Sequence, residues 1–148
     1  MSKSDSNIVR RPDAYVVAGA LFDAQGRLLL AERPPGKHMA GGWEFPGGKR
    51  EPDEERLDTL KRELLEELGI AILEAEPLVS YAHEYADRTI TLDLWFVTRY
   101  EGAPQSLEGQ TLQWVRLDDL DRVGLLEADA PMVGPLRKRA AATVPIKI

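Results

Sequence analysis

Three glutamates, Glu63, Glu66 and Glu67, lie near the end of the clearest helical segment in the sequence, residues 54–68. At 100° per residue, Glu66 and Glu67 fall within about 60° and about 40° of Glu63 around the helix. Like charges at these spacings repel, and the C-terminal end of a helix disfavours anions. Because clustered carboxylate oxygens are what a hard divalent cation needs, the pattern indicates a metal site. A solvent-exposed acidic face is the alternative that these residues alone leave open.

The segment before this helix is rich in glycine. Gly41, Gly42, Gly47 and Gly48 surround the run Trp-Glu-Phe-Pro over residues 43–46. Glycine lets a backbone approach a ligand closely or adopt a positive φ, but taken alone such a loop favours a plain turn. Its position directly before the acidic helix makes it a candidate ligand-binding segment.

The residues from Gly48 to Ile70 follow one fixed pattern: Gly48, five residues, Glu54, seven residues, and then Arg-Glu-Leu-Leu-Glu-Glu-Leu-Gly-Ile. This resembles the complete Nudix box, Gx5Ex7REUxEExGU, in which U is a bulky aliphatic residue. Other stretches resemble the MutT branch of that family, and together they extend over most of residues 14–137. These stretches are 33–45, 43–49, 87–92, 100–102, 108–110 with Trp114, and 128–131.

The resemblance implies an α+β protein with the Nudix fold, a mixed β-sheet sandwiched between α-helices. It also implies Mg²⁺ as the cofactor, with Mn²⁺ as a substitute. The metal ligands implied are the Gly48 carbonyl, Glu63, Glu66, Glu67 and Glu108. The catalytic residues implied are Arg62, Glu66, Glu67 and Glu108, with Glu67 or Glu108 as the general base. On the helical count Glu54 lies about 180° from Glu63. We therefore expect it to support the helix start or to brace the loop, by pairing with Arg62, rather than to bind the metal.

A second group of residues is expected at the nucleotide. By resemblance, Arg33 contacts phosphate, Phe45 lies beside the base, and Arg88 meets the base edge through its backbone. Asp129 departs from the asparagine that 8-oxo-dGTP enzymes of this type typically carry. An amide both donates and accepts hydrogen bonds, whereas an ionised carboxylate only accepts and suits the N4–H₂ group of cytosine. The base therefore stays open between 8-oxoguanine and a cytosine.

The expected activity is Mg²⁺-dependent hydrolysis of a nucleoside triphosphate to a nucleoside monophosphate and pyrophosphate. Oxidised nucleotides such as 8-oxo-dGTP are the first candidates, and CTP or a 5-substituted dCTP is the alternative. Hydrolysis of ADP-ribose or of another diphosphate is less favoured. A non-catalytic nucleotide sensor is also less favoured, because such proteins usually have a broken box or an added DNA-binding domain.

The composition narrows the class of protein further. Lys plus Arg is 19 and Asp plus Glu is 25, a formal net charge of −6, and residues 51–67 hold eight acids against three bases. We therefore expect no long nucleic acid as a partner. Cysteine is absent, which leaves carboxylate oxygen as the natural metal ligand. No apolar run approaches the roughly 18 residues of a membrane span, and no secretory signal is evident, so a cytoplasmic location is expected. The oligomeric state stays open.

One domain over residues 13–141 must position these groups, with a flexible arm at 1–12 and a tail at 142–148. The predicted strands are 14–21, 27–32, 89–98 and 109–116, with a short segment at 43–45. A turn at 23–26 is expected to pair the second strand back onto the first. The predicted helices are 54–68, 117–123 and 131–141. His38 and His83 are expected to pack or lie at a rim rather than bind zinc, and Trp95 and Trp114 are expected in the core.

Overall fold

The computed structural model describes residues 9–37 and 39–142, so most of the predicted arm, His38 and residues 143–148 lie outside the described residues. Its strands are β1 (Ala14–Ala20), β2 (Leu28–Glu32), β3 (Trp43–Glu44), β4 (Gly47–Lys49), β5 (Ala71–Tyr85), β6 (Arg88–Glu101) and β7 (Thr111–Val115). Its helices are α1 (Arg56–Leu68), α2 (Val133–Ala142) and two short 3₁₀ helices, Leu117–Arg122 and Glu127–Met132. Among these described helices, none combines the length and the apolar character needed to cross a membrane.

The prediction of a mixed α+β fold is confirmed, and the strands divide between two sheets. The larger sheet has the order β4-β1-β6-β5, with β1 parallel to β6 and the other neighbours antiparallel. The smaller sheet, β3-β2-β7, is antiparallel throughout. The expected single sheet is therefore two sheets, and the space between them is available for a ligand.

The predicted pairing of β2 back onto β1 is wrong over most of its length. The turn at residues 23–26 forms as predicted, with the Gly26 N–H donating to the Asp23 carbonyl. The chain segments then pair just beyond it, at the bridge between Phe22 and Leu28. Because β1 has β4 on one side and β6 on the other, it offers β2 no free edge. Strand β2 becomes instead the centre of the smaller sheet.

The leucine side chains of α1 form a stripe that packs against the larger sheet. Its fully buried members are Leu60, Leu64 and Leu68. Full burial of one leucine side chain stabilises a protein by roughly 1.5–3 kcal/mol, so this stripe fixes which face of α1 is left to carry the glutamates. Residues of β6 alternate between two cores, as a period of two requires. Trp95 and Val97 pack with α1, whereas Leu94 and Phe96 join the core that contains Leu136 of α2.

The two ends of α1 are formed differently. The helix begins at Arg56, two residues later than predicted, and the N-cap residue Glu55 makes no side-chain capping hydrogen bond. It ends at Gly69, as predicted, where a φ of 70° and a hydrogen bond from the Gly69 N–H to the Leu65 carbonyl close the last turn. The helix start is thus held by something other than a local cap.

Strand β5 has no counterpart among the predicted elements. It spans 15 residues at the edge of the larger sheet and pairs along most of β6. Most of its side chains are exposed or half-buried, and Glu74, Glu76 and Pro77 interrupt any alternation of apolar and polar residues. The strand forms because β6 supplies a long partner edge, and this long-range pairing leaves little trace in the local sequence pattern.

Candidate active site

A cleft of about 570 Å³ lies between the two sheets and reaches the glutamates of α1. Eight of the predicted site residues line it: Arg33, Phe45, Gly48, Glu63, Glu67, Arg88, Glu108 and Asp129. The other two, Arg62 and Glu66, are not part of its lining. The fold therefore brings residues from both sheets, from α1, from three connecting loops and from the second 3₁₀ helix onto one cavity.

We call the part of this cleft lined by Gly48, Glu63, Glu67 and Glu108 its acidic end. Gly48 and Glu63 are in direct contact there. A Cβ atom placed on Gly48 would lie 2.2 Å from the carboxyl carbon of Glu63, far inside any allowed contact. Glycine is needed here because the Glu63 carboxylate occupies the space that a side chain would take. The first glycine of the sequence pattern thus makes room for its first helical glutamate.

Glu67 is the most perturbed carboxyl group of the acidic end. It is half-buried and lies in the cleft. Burial, together with the negative charges of Glu63 and Glu108, raises the pKa of Glu67 to about 8, against a hydrogen bond from the Gly47 backbone that lowers it. Its Oε2 atom is buried and has no hydrogen-bond partner within residues 9–37 and 39–142. A buried carboxylate oxygen without a hydrogen-bond partner is suited to contact a positively charged group.

Glu108 comes to the acidic end from the loop before β7. The Leu107 N–H donates to the Glu67 carbonyl at 3.1 Å, and the Gln110 side chain donates to the same oxygen at 3.3 Å. Gln110 also accepts from the Glu108 N–H through its Oε1 at 3.0 Å. The loop is thus tied to the last turn of α1, which places the exposed Glu108 near Glu67.

Arg62 lies behind the cleft and joins the pieces of the acidic end. It contacts both oxygens of Glu54 at 2.8–3.0 Å and donates to Glu63 at 2.9 Å. It also donates to the Lys49 carbonyl at 2.9 Å. The predicted pairing of Glu54 with Arg62 is confirmed, and hydrogen bonds from Arg62, the Glu51 N–H and Thr59 lower the pKa of Glu54 to about 2.

Glu66 is placed differently from the two other helical glutamates. Its side chain is 52% exposed, and its nearest charged partner is Arg62 at 3.5 Å. The angular count put Glu66 on the same face as Glu63 and Glu67, and the three do share that side of the helix. Glu63 and Glu67 line the cleft, whereas Glu66 does not.

The donor set fits a hard divalent cation. As they stand, no three acidic or histidine side chains of the described residues are gathered at coordinating distance, since Glu63 is turned onto Arg62. The acidic end nevertheless combines a buried, unpartnered carboxylate oxygen with mutually repelling carboxylates from two parts of the chain. Oxygen donors of this kind match Mg²⁺ or Mn²⁺, and a cation would relieve the repulsion that raises the pKa of Glu67.

Asp129 lines the same cleft from the second 3₁₀ helix. We call the part of the cleft formed by Asp129 and Phe45 its base end. The Asp129 side chain is almost completely buried, and Oδ2 accepts a hydrogen bond from the Phe45 N–H at 3.1 Å. Burial raises the pKa of Asp129 to about 7, although the Phe45 N–H opposes the shift. Phe45 is buried beside it. Near neutral pH this carboxyl group is therefore present in both its neutral and its ionised forms.

Arg33 and Arg88 also line the cleft. Arg33 Nε lies 3.3 Å from Glu44 Oε1, yet the Nε atoms of both arginines are buried without a hydrogen-bond partner in the described part of the chain. With Glu67 Oε2, three unsatisfied buried atoms thus belong to residues of one cavity. Buried guanidinium groups that keep hydrogen-bonding capacity beside an acidic end are suited to phosphate oxygens.

Three further cleft residues, Glu44, Tyr85 and Gln110, were not among the predicted site residues. Glu44 and Gln110 belong to stretches that resemble the MutT branch, so the family resemblance already pointed to them. Tyr85 ends β5, which the pattern did not reveal.

His83 packs edge-on against Tyr85 with ring centroids 4.8 Å apart, which confirms the prediction of a packing residue. Trp95 is buried as predicted and Trp114 is half-buried against the α1 core.

Comparison with known proteins agrees with this architecture. Residues 17–134 match the family model described as NUDIX domain. The chain is 40% identical over 117 residues to the CTP pyrophosphohydrolase of Escherichia coli, covering 79% of this chain and 87% of that protein. It is 33% identical over 123 residues to the 8-oxo-dGTP diphosphatase of E. coli, covering 83% and 95%.

A solved structure shows the same fold. It comes from a study of MutT from Aliivibrio salmonicida and Vibrio cholerae, and it superposes with a TM-score of 0.74 at 33% identity. The superposition covers 89% of this chain and 99% of that one. The chain therefore belongs to the Nudix family, and within it to the MutT-like proteins. It is a Nudix hydrolase, a class of enzyme that generally needs a divalent metal ion.

Proposed function

We propose that this enzyme hydrolyses a nucleoside triphosphate to a nucleoside monophosphate and pyrophosphate, with 8-oxo-dGTP as its principal substrate. The observation that carries the proposal is the single cleft that joins a carboxylate cluster to a buried group able to read a base edge. The match over residues 17–134 supports one catalytic domain at 13–141. The proposed role is to clear oxidised nucleotides from the cytoplasm, without a long nucleic acid or a membrane as a partner.

At the acidic end, the residues proposed to hold the cation are the Gly48 carbonyl, Glu63, Glu66, Glu67 and Glu108. The proposed cofactor is Mg²⁺, for which Mn²⁺ can substitute; when bound, it supplies positive charge against the phosphate oxygens and acts as a Lewis acid. Glu67 or Glu108 takes the proton of the attacking water, since both lie at the wall of the cleft. Arg62 keeps Glu63 against Gly48, and Arg33 contacts phosphate.

At the base end, Asp129 supports an oxidised purine. In its neutral form the carboxyl group can donate to O6 of 8-oxoguanine and accept from N7–H, as an amide would. A pKa of about 7 leaves a substantial neutral fraction at physiological pH. The similarity to an enzyme named 8-oxo-dGTP diphosphatase supports the same substrate.

A second candidate is CTP or a 5-substituted dCTP. The ionised form of Asp129 only accepts hydrogen bonds, which suits the N4–H₂ group of cytosine. The similarity to an enzyme named CTP pyrophosphohydrolase points the same way. Both substrates would be hydrolysed at the acidic end, and the protonation state of Asp129 is what distinguishes the two candidates.

The test is a chromatographic assay of nucleoside monophosphate formation with Mg²⁺. The substrates are 8-oxo-dGTP, its matched control dGTP, CTP, 5-methyl-dCTP and ADP-ribose, and Glu67→Gln reports any contaminating activity. We expect 8-oxo-dGTP to have the highest kcat/KM. Preference for a cytidine nucleotide would replace the first candidate by the second. Turnover of ADP-ribose with none of the triphosphates would contradict the proposed substrate class.

A further inference from the structure

A buried polar cluster lies on the side of the larger sheet opposite the cleft. Its centre is Asp93 of β6, which has no exposed surface. Arg56 donates to both of its oxygens, at 2.7 Å and 3.0 Å, and the Tyr15 hydroxyl donates at 2.8 Å. The guanidinium of Arg56 also lies 5.0 Å from the centre of the Trp95 ring. None of these groups lines the cleft, so the proposed chemistry does not account for them.

The position of Arg56 needs an explanation. It is the first residue of α1, where the helix dipole disfavours a positive charge. The residue before it provides no side-chain cap. Two hydrogen bonds from Arg56 to a fully buried carboxylate therefore tie this helix start to the sheet. Burial acts to raise the pKa of Asp93, but the bonds from Arg56 and Tyr15 outweigh it and hold that pKa below its usual range.

The same cluster also holds the strand that carries Gly48. Arg50, directly after β4, donates from its N–H to the Tyr15 carbonyl at 2.7 Å, and its guanidinium lies 5.3 Å from the Tyr15 ring centre. Its Nε donates to the Glu54 carbonyl at 2.6 Å. The loop of residues 50–55 is thus fixed at both ends to one pair, Tyr15 and Asp93.

This loop sets the separation of the two elements that form the acidic end. Gly48 lies on β4 and Glu63 on α1, and they touch so closely that no Cβ fits between them. We propose that the cluster of Tyr15, Arg50, Arg56 and Asp93 positions α1 against β4 and so sets the affinity of the acidic end for its divalent cation. The inference rests on the proposed function, because it takes Gly48 and Glu63 as metal ligands. These four are positioning residues that act through α1 and β4.

The test measures metal binding and metal activation separately. Binding of Mn²⁺ to the metal-free protein is followed by electron paramagnetic resonance, and the Mn²⁺ concentration for half-maximal hydrolysis of 8-oxo-dGTP is measured independently. The main variant, Arg56→Leu with Asp93→Leu, replaces the ion pair by an apolar pair and leaves no buried charge unpaired. Arg56→Lys keeps the charge but loses the bidentate contact with the Asp93 carboxylate. Leu136→Ala is the control for a general loss of stability, because Leu136 of α2 is buried in the other hydrophobic core.

We expect the double variant to weaken Mn²⁺ binding and to raise the half-activating concentration by about tenfold, as for other groups that orient metal ligands. Arg56→Lys should fall between it and the wild type, with KM for the nucleotide nearly unchanged. Leu136→Ala should lower Tm without changing either metal constant. Wild-type Mn²⁺ affinity in the folded double variant would overturn the inference, even if its Tm fell. If the wild type itself showed no saturable Mn²⁺ binding, the proposed metal site would fail, and the inference with it.

Discussion

The two ends of the cleft are assembled on different scales. At the acidic end, Gly48, Glu63 and Glu67 come from one short stretch of chain, and their spacing on β4 and α1 sets their arrangement. At the base end, Phe45 and Asp129 come from distant parts of the sequence and meet through one hydrogen bond of 3.1 Å. A spacing pattern can therefore specify the first end, whereas the second depends on how the two sheets pack.

The ends also differ in what sets their charge. Burial is the largest cause that raises the pKa of both Glu67 and Asp129. At Glu67 the negative charges of Glu63 and Glu108 add to it, whereas at Asp129 the charge of Glu44 raises the pKa and that of Arg33 lowers it. A cation can remove the repulsion at Glu67, so the acidic end should respond to metal. Asp129 accepts a hydrogen bond from the neutral Phe45 N–H, so the choice between bases should respond to pH.

The largest expected effect is at the acidic end. Glu67→Gln should lower kcat by at least about a hundredfold, because it removes a general base or a charge that stabilises the transition state. Glu66→Gln should cost less, since its side chain is 52% exposed and does not line the cleft. Steady-state kinetics with 8-oxo-dGTP and saturating Mg²⁺ measures both.

Glu55→Gln is the matched control, because Glu55 lies at the start of the same helix and makes no capping bond. Its kcat should equal that of the wild type. Near wild-type turnover in Glu67→Gln would remove the acidic end as the catalytic centre. Equal losses in Glu66→Gln and Glu67→Gln would show that exposure does not distinguish them.

Features that depend on local spacing could be predicted from the sequence, whereas those that depend on long-range packing could not. The end of α1 at residue 68 and the pairing of Glu54 with Arg62 are local, and the sequence pattern predicted both. The pairing of β1 with β2 was predicted wrongly, because adjacency in sequence says nothing about which strand edges are already occupied. Strand β5 was missed because its pairing with β6 is what stabilises it.

The candidate site shows the same limit. Eight predicted residues line one cleft, although the family resemblance rather than local periodicity supplied the distant members of that set. The contact between Asp93 and Arg56 joins residues 37 positions apart, and no pattern in the sequence indicates it. Local spacing therefore predicts which residues can bind a metal, while tertiary packing decides how well they are held.

The base end should show a pH-dependent choice of substrate. The pKa of Asp129 is raised to about 7, so the neutral form dominates below that pH and the ionised form above it. Between pH 6 and pH 8, the ratio of kcat/KM for 8-oxo-dGTP to that for CTP should therefore fall by about tenfold, which is within the discrimination that one base-edge contact provides. Because the carboxylates of the acidic end affect both substrates alike, the ratio isolates Asp129.

Asp129→Asn should abolish this dependence, since an amide does not titrate in this range. The ratio should stay level and favour 8-oxo-dGTP at pH 8. The same fall in the ratio in both proteins would assign the titration to another group. A ratio that is level in the wild type would show that the two ends do not differ in their response to pH.

The smallest effect concerns stability at the edge of the acidic end. The pKa of Glu54 is lowered from 4.5 to about 2 in the folded protein, by its bonds to Arg62, the Glu51 N–H and Thr59. A depressed carboxyl pKa stabilises the folded state above the unfolded pKa, and this stabilisation is lost as pH falls through the folded value. Glu54→Gln should therefore be less stable than the wild type at pH 7, and the difference should narrow between about pH 4.5 and about pH 2.

Urea unfolding at pH 7 and pH 3 measures this difference, with Glu55→Gln as a matched control that should show no such change. The gap at pH 7 should also shrink in high salt, because ion pairs near the surface are screened. Mn²⁺ affinity should change far less in Glu54→Gln than in Glu67→Gln, since Glu54 contacts Arg62 and not the cleft. An equal loss of Mn²⁺ affinity in both would mean that Arg62 transmits the charge of Glu54 to the metal ligands, and the acidic end would then extend beyond the cleft.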